Sequence, residues 1–213
     1  MQRAFVIAME CEAEAVRPNL RPDDRLYVSG VGKVNAAAAA MQAICEGASE
    51  IWNAGLAGGF GEGVEVGDVL AVGRAVEYDF DLAQLNGTAV GVLNEYDTPY
   101  LEVAPFEIPA ASGIRGWATL ATGDRFNDSD ADNELIASVL GASLRDMEGG
   151  AIAHVCKRRG VPCHMVKCVS DVAGRSSMLV QYAQNRERCL RRLERALSFL
   201  RGEPGAARGA ARD

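Results

Sequence analysis

The sequence predicts an α/β fold, a single domain of three α/β/α layers with a mixed, largely parallel central sheet. Two observations carry this prediction. Short apolar runs, typical of buried strands, alternate along the chain with helical segments of about 10–15 residues. No internal repeat or domain-scale linker interrupts the 213 residues, a length that suits one domain with a sizeable core.

Strands are predicted where apolar or β-branched residues run together between turn residues. In chain order they cover residues 3–9, 25–30, 50–55, 68–78, 116–123, 144–147 and 162–171. The third strand runs into NAGLAGGFGEG (53–63), whose five glycines predict a turn at the carboxyl end of that strand.

Helices are predicted where good helix formers continue without a breaker. They cover residues 12–20, 33–45, 130–140, 151–159 and 177–200. The last helix carries charged residues along one side, which is typical of a solvated face. Residues 201–213 contain Gly, Ala and Arg but no large apolar side chain, so we expect a disordered tail after a domain that spans residues 1–200.

Composition narrows the possible classes of function. A net charge of −7 argues against a nucleic-acid partner. No apolar stretch approaches the ~20 residues that cross a bilayer, and the N-terminus does not have the pattern of a signal peptide, so we expect no membrane partner and a cytoplasmic location. The six cysteines form no CxxC pair and the two histidines lack zinc-ligand spacing, so neither a metal site nor a disulfide framework is predicted.

Three carboxylates stand just past predicted strands. Glu12 follows the first strand, Glu148 follows the strand at 144–147, and Asp171 ends the last. Because the carboxyl ends of parallel strands meet at one edge of a sheet, we expect the three to converge. Such a group suits chemistry that needs an acid and a base on opposite sides of a small polar substrate. Neither a GxSxG elbow nor a plausible histidine triad is present, so Ser or Cys nucleophiles are not expected.

Two glycine-rich stretches would let the backbone approach a ligand closely. In the first, NAGLAGGFGEG, we expect Ala57 and Gly58 to contact a ligand at the sheet edge. The second, SGVGKVNA (29–36), matches neither the P-loop nor the dinucleotide fingerprint, and a tight strand-to-helix turn is its simpler interpretation. A helix N-terminus at that turn could still receive a polar ligand.

Taken together, these residues resemble the nucleoside phosphorylase superfamily, and within it the methylthioadenosine/S-adenosylhomocysteine nucleosidases. The similarity runs from the N-terminus to about residue 200. It rests on segments in the family's order and spacing, namely AMECEAE (8–14), SGVGKVNAA (29–37), NAGLAGGF (53–60), VGDV (66–69), ATGDRF (121–126), DMEGGAIAHVC (146–156) and VSDVAG (169–174).

The resemblance implies a homodimeric hydrolase that uses no metal or cofactor and cleaves adenine from 5′-substituted adenosines, small purine nucleosides. In such an enzyme Glu12 would activate the attacking water. Asp171 would protonate N7 of the purine, with Ser170 beside it to orient the carboxylate. Protonation makes the purine a better leaving group, and nearby carboxylates favour the cationic sugar.

The resemblance also implies how the substrate is held. Phe126 would stack on the purine, and the backbone of Asn127 would read its edge. Met147 and Glu148 would hold the ribose, with Glu148 accepting hydrogen bonds from the 2′ and 3′ hydroxyls. Lys167 stands where the nucleosidases usually have a water-placing Arg.

Some features leave other functions open. Leu56 replaces the Ser that usually helps to place the water, and NAGLAGGF also resembles futalosine hydrolase, although SDVAG keeps the Asp associated with 6-aminopurines. The glycine-rich turn offers no Arg to grip phosphate, so water is the expected nucleophile. A futalosine or aminodeoxyfutalosine hydrolase, a phosphate-dependent phosphorylase and a non-catalytic nucleoside-binding relative stay as alternatives. Residues 78–103 are the least family-like, so the 5′ group is not predicted.

Overall fold

The computed structural model describes residues 2–126 and 129–201. Asn127 and all of the predicted tail except Arg201 lie outside the described residues, so the domain boundary stays a prediction. The strands are β1 (Arg3–Ile7), β2 (Arg25–Val28), β3 (Glu50–Gly59), β4 (Val69–Glu77), β5 (Leu101–Glu102), β6 (Ile114–Thr122), β7 (Leu144–Asp146) and β8 (Cys163–Val172). The helices are α1 (Glu10–Val16), α2 (Lys33–Cys45), α3 (Ala83–Asn86), α4 (Asp130–Glu134), α5 (Gly149–Arg159) and α6 (Met178–Ala196).

All eight strands belong to one sheet. Five of its strand pairings are parallel and three are antiparallel. The order β2-β1-β3-β7-β6-β4-β5, together with the pairing of β8 to both β3 and β4, closes five strands into a ring. The predicted mixed, largely parallel sheet is therefore confirmed, with a closed portion that strand order along the chain did not reveal.

Helices cover both faces of the sheet because successive strand residues point to opposite sides. In β1, Ala4 and Val6 pack in the core cluster that includes α2 and α5. Phe5 and Ile7 instead pack in the cluster that includes α1 and α6. The predicted three-layer α/β/α arrangement is confirmed.

The glycine-rich stretch differs from its prediction. Instead of turning after residue 55, β3 continues to Gly59. A Cβ on Gly55 would lie 2.6 Å from Oε1 of Glu12, and one on Gly58 would lie 3.0 Å from Oδ1 of Asp171. These glycines are strand residues whose missing side chains make room for carboxylates from other segments, and the turn prediction was wrong here.

Smaller differences concern elements too short for sequence periodicity to reveal. Helix α3 and strand β5 were not predicted, and the helix predicted over 130–140 is divided into α4 and a π-helical turn over Leu135–Val139. Within the described residues, no helix combines the length and the apolar character that a membrane span requires.

Candidate active site

One cavity of about 460 Å³ collects most of the predicted site residues. It opens beside the carboxyl-terminal halves of β3 and β8, between α1, α6 and the segment after β6. Among the residues that line it are Glu12, Ala57, Gly58, Phe126, Met147, Glu148, Ser170 and Asp171. Lys167 lies behind the cavity wall, and Asn127 is outside the described residues. The structure therefore brings these side chains together, while their individual roles stay predictions.

Glu12 is held from two sides by backbone donors. It lies in the first turn of α1, directly after β1, and is buried. The N–H of Leu56 donates to its Oε1 at 2.8 Å, and the N–H of Met9 donates to its Oε2 at 3.2 Å. Burial raises the pKa of the Glu12 carboxyl, although these donors and the charge of Lys167 act in the opposite direction. The carboxylate is fixed at the cavity wall and is a stronger base than an exposed glutamate.

Lys167 forms a buried ion pair with Asp146, a residue that the sequence prediction did not select. Nζ of Lys167 lies 2.7 Å from Oδ2 of Asp146, and both side chains are 2% exposed. Asp146 also accepts hydrogen bonds from Oγ1 of Thr122 at 2.6 Å and from the N–H of Gly149 at 2.8 Å. The signal for this pair was present in the sequence, because a lysine inside a buried strand requires an anionic partner.

The charge of Lys167 survives burial. Burial alone lowers the pKa of its ammonium group, but the carboxylates of Asp146, Glu148 and Glu12 more than offset this, and its pKa is raised. The side chain therefore supplies one positive charge behind a group of three carboxylates.

Glu148 reaches the cavity from the N-terminus of α5. Its Oε1 accepts a hydrogen bond from the N–H of Gly32 at 2.9 Å, at the start of α2. Burial, followed by the nearby charge of Asp146, raises the pKa of Glu148 to about 7. The stretch SGVGKVNA is thus a strand-to-helix turn in which the N–H of Gly32 binds a protein carboxylate.

The predicted reason for convergence needs one correction. Strands β3 and β8 are parallel, but β7 is antiparallel to β3, with Arg145 opposite Gly58. The chain after β7 therefore runs back along β3 towards Leu56, whose N–H binds Glu12. Glu148 joins the other carboxylates because five strands close into a ring, and not because all carboxyl ends share one edge.

The opposite end of the cavity holds Asp171, next to Gly58 of β3, and Phe126 also lines the cavity. Oγ of Ser170 donates to Oδ2 of Asp171 at 2.6 Å and lies 3.3 Å from the carbonyl oxygen of Ala57. Phe126 is 50% exposed, and its ring meets Tyr182 of α6 edge-on with the centroids 6.0 Å apart. The cavity is therefore lined by a buried carboxyl and by an accessible aromatic face.

Arg145 and Met178 line the same end and were not predicted. Arg145 is 4% exposed, and its Nη2 lies 2.9 Å from Sδ of Met178. Its guanidinium also lies over the ring of Phe60, 5.4 Å from the centroid. The sequence signal was a charged residue within a short buried strand, but its neighbours are more than thirty positions away in the chain.

Comparison with known proteins gives consistent results. The family model of the Phosphorylase superfamily matches residues 25–199. An aminodeoxyfutalosine nucleosidase of Campylobacter jejuni is 31% identical over 160 residues, which cover 70% of this chain and 68% of the relative. A 5′-methylthioadenosine/S-adenosylhomocysteine nucleosidase of Geobacillus is 31% identical over 184 residues, which cover 83% of this chain and 79% of the relative.

Solved structures share the fold. A 5′-methylthioadenosine/S-adenosylhomocysteine nucleosidase of Helicobacter pylori superposes with a TM-score of 0.82 at 19% identity, covering 94% of this chain and 97% of that one. A futalosine hydrolase of the same organism gives a TM-score of 0.83 at 20% identity, with coverage of 94% and 97%. The resemblance predicted from the sequence is confirmed, and the chain belongs to the phosphorylase superfamily.

Proposed function

We propose that this protein is a purine nucleosidase that hydrolyses the N-glycosidic bond of 5′-substituted adenosines, such as 5′-methylthioadenosine, S-adenosylhomocysteine and 5′-deoxyadenosine. The products are adenine and the ribose derivative. The observation that carries the proposal is the placement of Glu12, Glu148 and Asp171 around one cavity. Relatives named as nucleosidases support the same reaction.

The proposed chemistry places a base and an acid on either side of the bond that breaks. Glu12 takes a proton from a water molecule whose oxygen bonds to C1′ of the sugar. The bond between C1′ and N9 breaks with its electron pair moving onto the purine, and Asp171 delivers a proton to N7. Ser170 orients the Asp171 carboxyl through its 2.6 Å hydrogen bond.

The sugar is bound where negative charge accumulates. Glu148 accepts hydrogen bonds from the 2′ and 3′ hydroxyls, with Met147 against the ribose. As the glycosidic bond breaks, positive charge develops on the ring, and the carboxylates of Glu12, Glu148 and Asp146 stabilise it. Ala57 and Gly58 form a wall without large side chains, and Phe126 stacks on the purine.

Water is the proposed nucleophile, and the charges around Glu12 support it. The carboxylates of Glu12, Asp146 and Glu148 lie at the end of the cavity proposed to bind the sugar, called here the sugar end. They would repel a phosphate dianion. The cation behind them, Lys167, is held by Asp146 at 2.7 Å. We assign Lys167 an indirect role in placing the water, because its positive charge offsets the negative charges of the carboxylates around the water. The Leu56 side chain contributes an apolar surface, while its N–H holds Glu12.

A second candidate substrate is aminodeoxyfutalosine, and the Campylobacter jejuni relative favours it. The carboxylates described above would act on either nucleoside in the same way. The two candidates are therefore alternatives for the substrate and not for the mechanism.

The proposal includes a homodimer in the cytoplasm. Support for the dimer comes from an apolar strip at the start and along the outer side of α2. Val34 is 80% exposed there, and Val31 and Met41 are also exposed. Sedimentation velocity of the purified protein tests the dimer, and a monomer at micromolar concentration would contradict it.

A screen of purine nucleosides, with and without phosphate, tests the reaction. We expect adenine release from 5′-methylthioadenosine or aminodeoxyfutalosine at a rate that added phosphate does not change. The matched control is Glu12→Gln, which keeps the shape of the site and should abolish most turnover. Release that requires phosphate would replace the proposal by a phosphorylase, and nucleoside binding without turnover would replace it by a non-catalytic binding protein.

A further inference from the structure

Arg145 and Asp171 lie in one row across the sheet, on either side of Gly58. Gly58 of β3 pairs with Arg145 of β7 on one side and with Asp171 of β8 on the other. Residues that pair directly across strands project their side chains from the same face. The row therefore places a guanidinium and a carboxyl over the same face, with a glycine between them.

The space over Gly58 is bordered by Asp171 and by Met178 of α6. A Cβ on Gly58 would lie 3.0 Å from Oδ1 of Asp171 and 3.4 Å from Cε of Met178. The sulfur of the same Met178 is 2.9 Å from Nη2 of Arg145. The Arg145 guanidinium therefore contacts the methionine that borders the space over Gly58, and Arg145 and Asp171 both line the cavity.

The chemistry of these two groups is not equivalent. A carboxyl donates a hydrogen bond when protonated and accepts when ionised, whereas a guanidinium carries five N–H donors and no acceptor. Because it has five donors, Arg145 can bind a substrate oxygen in addition to its protein contacts.

Purines differ at the edge that carries N7. A 6-oxopurine presents two acceptors there, N7 and O6, whereas a 6-aminopurine presents the N7 acceptor beside an N–H donor. Asp171 alone can serve the 6-aminopurine, with one oxygen donating to N7 and the other accepting from the amino group. A guanidinium next to Asp171 matches the 6-oxopurine, because arginine donors and the O6 acceptor are the common pairing at this edge.

We propose that Arg145 is a base-specificity residue that adds 6-oxopurine nucleosides to the substrates of this site. Arg145 donates to O6 while Asp171 serves N7. The proposal rests on the function proposed above and deepens it, since it names a second class of base for the same cavity. The guanidinium also favours negative charge that develops on the departing base.

The test compares two substrates that differ only at position 6, 5′-methylthioinosine and 5′-methylthioadenosine. We expect the wild-type protein to cleave both, with kcat/KM values within about tenfold of each other. Arg145→Met keeps an unbranched side chain but removes its hydrogen-bond donors. It should lower the ratio of kcat/KM for 5′-methylthioinosine to kcat/KM for 5′-methylthioadenosine at least about tenfold, because a hydrogen bond from a charged group usually contributes that much to binding. Arg145→Lys should give an intermediate ratio.

The matched control is Arg125→Met, at a second arginine that lines the cavity but is paired with Asp132 at 3.1 Å. This variant should leave the substrate ratio unchanged. Thermal melts establish whether each variant folds. If Arg145→Met does not fold, the wild-type ratio and Arg145→Lys decide the question.

Two results would overturn the inference. One is a wild-type protein that releases adenine but less than about a thousandth as much hypoxanthine, and the other is an equal loss on both substrates in Arg145→Met. Either outcome leaves the proposed adenosine hydrolysis intact. If neither base is released by the wild-type protein, the proposed function fails and this inference fails with it.

Discussion

The two ends of the cavity are held by different kinds of contact. At the sugar end, Glu12 and Glu148 each accept a hydrogen bond from the backbone of a distant segment, the N–H groups of Leu56 and Gly32. At the end proposed to bind the purine, called here the base end, the hydroxyl of the adjacent Ser170 donates a hydrogen bond to Asp171. Phe126, proposed to stack on the purine, is half exposed. The carboxylates of the sugar end are therefore held by backbone groups, whereas Asp171 is held by a neighbouring side chain.

The ends also differ in charge. Glu12, Asp146 and Glu148 surround the sugar end with a single compensating lysine behind them. The base end combines Asp171 with the guanidinium of Arg145. Cleavage of an N-glycosidic bond leaves positive charge on the sugar and negative charge on the base, so this distribution favours the separation of charge in the reaction.

The largest expected effect is at the base end. Asp171→Asn keeps the size of the side chain but removes the proton donor, so we expect kcat/KM for 5′-methylthioadenosine to fall about 10³-fold. Adenine release measures the loss, and circular dichroism checks the fold. Ser170→Ala, which removes only the orienting hydroxyl, should cost about tenfold. An Asp171→Asn variant within tenfold of wild type would remove Asp171 from the role of acid.

The second effect concerns the buried ion pair between Lys167 and Asp146, behind the sugar end. Lys167→Met leaves the buried Asp146 carboxylate without its counter-charge, and we expect the free energy of unfolding to fall by about 3–5 kcal/mol. Urea titration measures this loss. The double variant Lys167→Met/Asp146→Asn removes both charges and should recover part of the stability. Equal stability of the single and double variants would show that the ion pair does not contribute in this way.

A smaller effect is expected at Glu148, where pH provides the readout. Glu148→Gln should lower kcat/KM about 10–100-fold, because a neutral amide loses the charge-assisted hydrogen bonds to the sugar. In the wild type, the ionised carboxylate forms as pH rises through about 7, so kcat/KM should increase across that range. The variant should lack this increase, and a pH profile that it leaves unchanged would contradict the assignment.

The same carboxyl has an opposite effect on stability. Its folded-state pKa, about 7, is above the ordinary value of 4.5, so the folded protein holds a proton that the unfolded chain has lost. Stability from this group is present below pH 4.5 and is lost as pH rises through about 7. Unliganded Glu148→Gln should therefore lose less stability than the wild type between pH 5 and pH 8, as measured by thermal melts.

The smallest effect is expected at the accessible rim of the base end. Phe126→Leu keeps an apolar side chain but loses the flat ring, so we expect KM for the nucleoside to rise about fivefold with kcat nearly unchanged. Phe126→Tyr, which keeps the ring, is the matched control. A large fall in kcat for the leucine variant would mean that the ring also positions the base for the reaction.

Sequence reasoning found the carboxylates at or just past the ends of predicted strands and missed the two charged residues inside β7. Glu12, Glu148 and Asp171 were recognisable because burying a carboxylate beside a strand costs free energy unless the carboxylate has a binding partner. Arg145 and Asp146 lie inside β7, a strand of three residues that is too short for periodicity to show its faces. Their partners are Met178, at the start of α6, and Lys167 of β8, which come near β7 only in the folded chain.

The sequence by itself determined the α/β class, the two helical layers and the family, because hydrophobic periodicity and the spacing of seven short segments are local properties of the chain. Tertiary structure decided that the glycines after residue 55 remain in β3, because carboxylates from α1 and β8 fill the space that side chains would need. It also decided that Arg145 lies in one row with Asp171. Strand register across a closed sheet joins residues that no local pattern relates, so the composition of the base end becomes visible only in the folded chain.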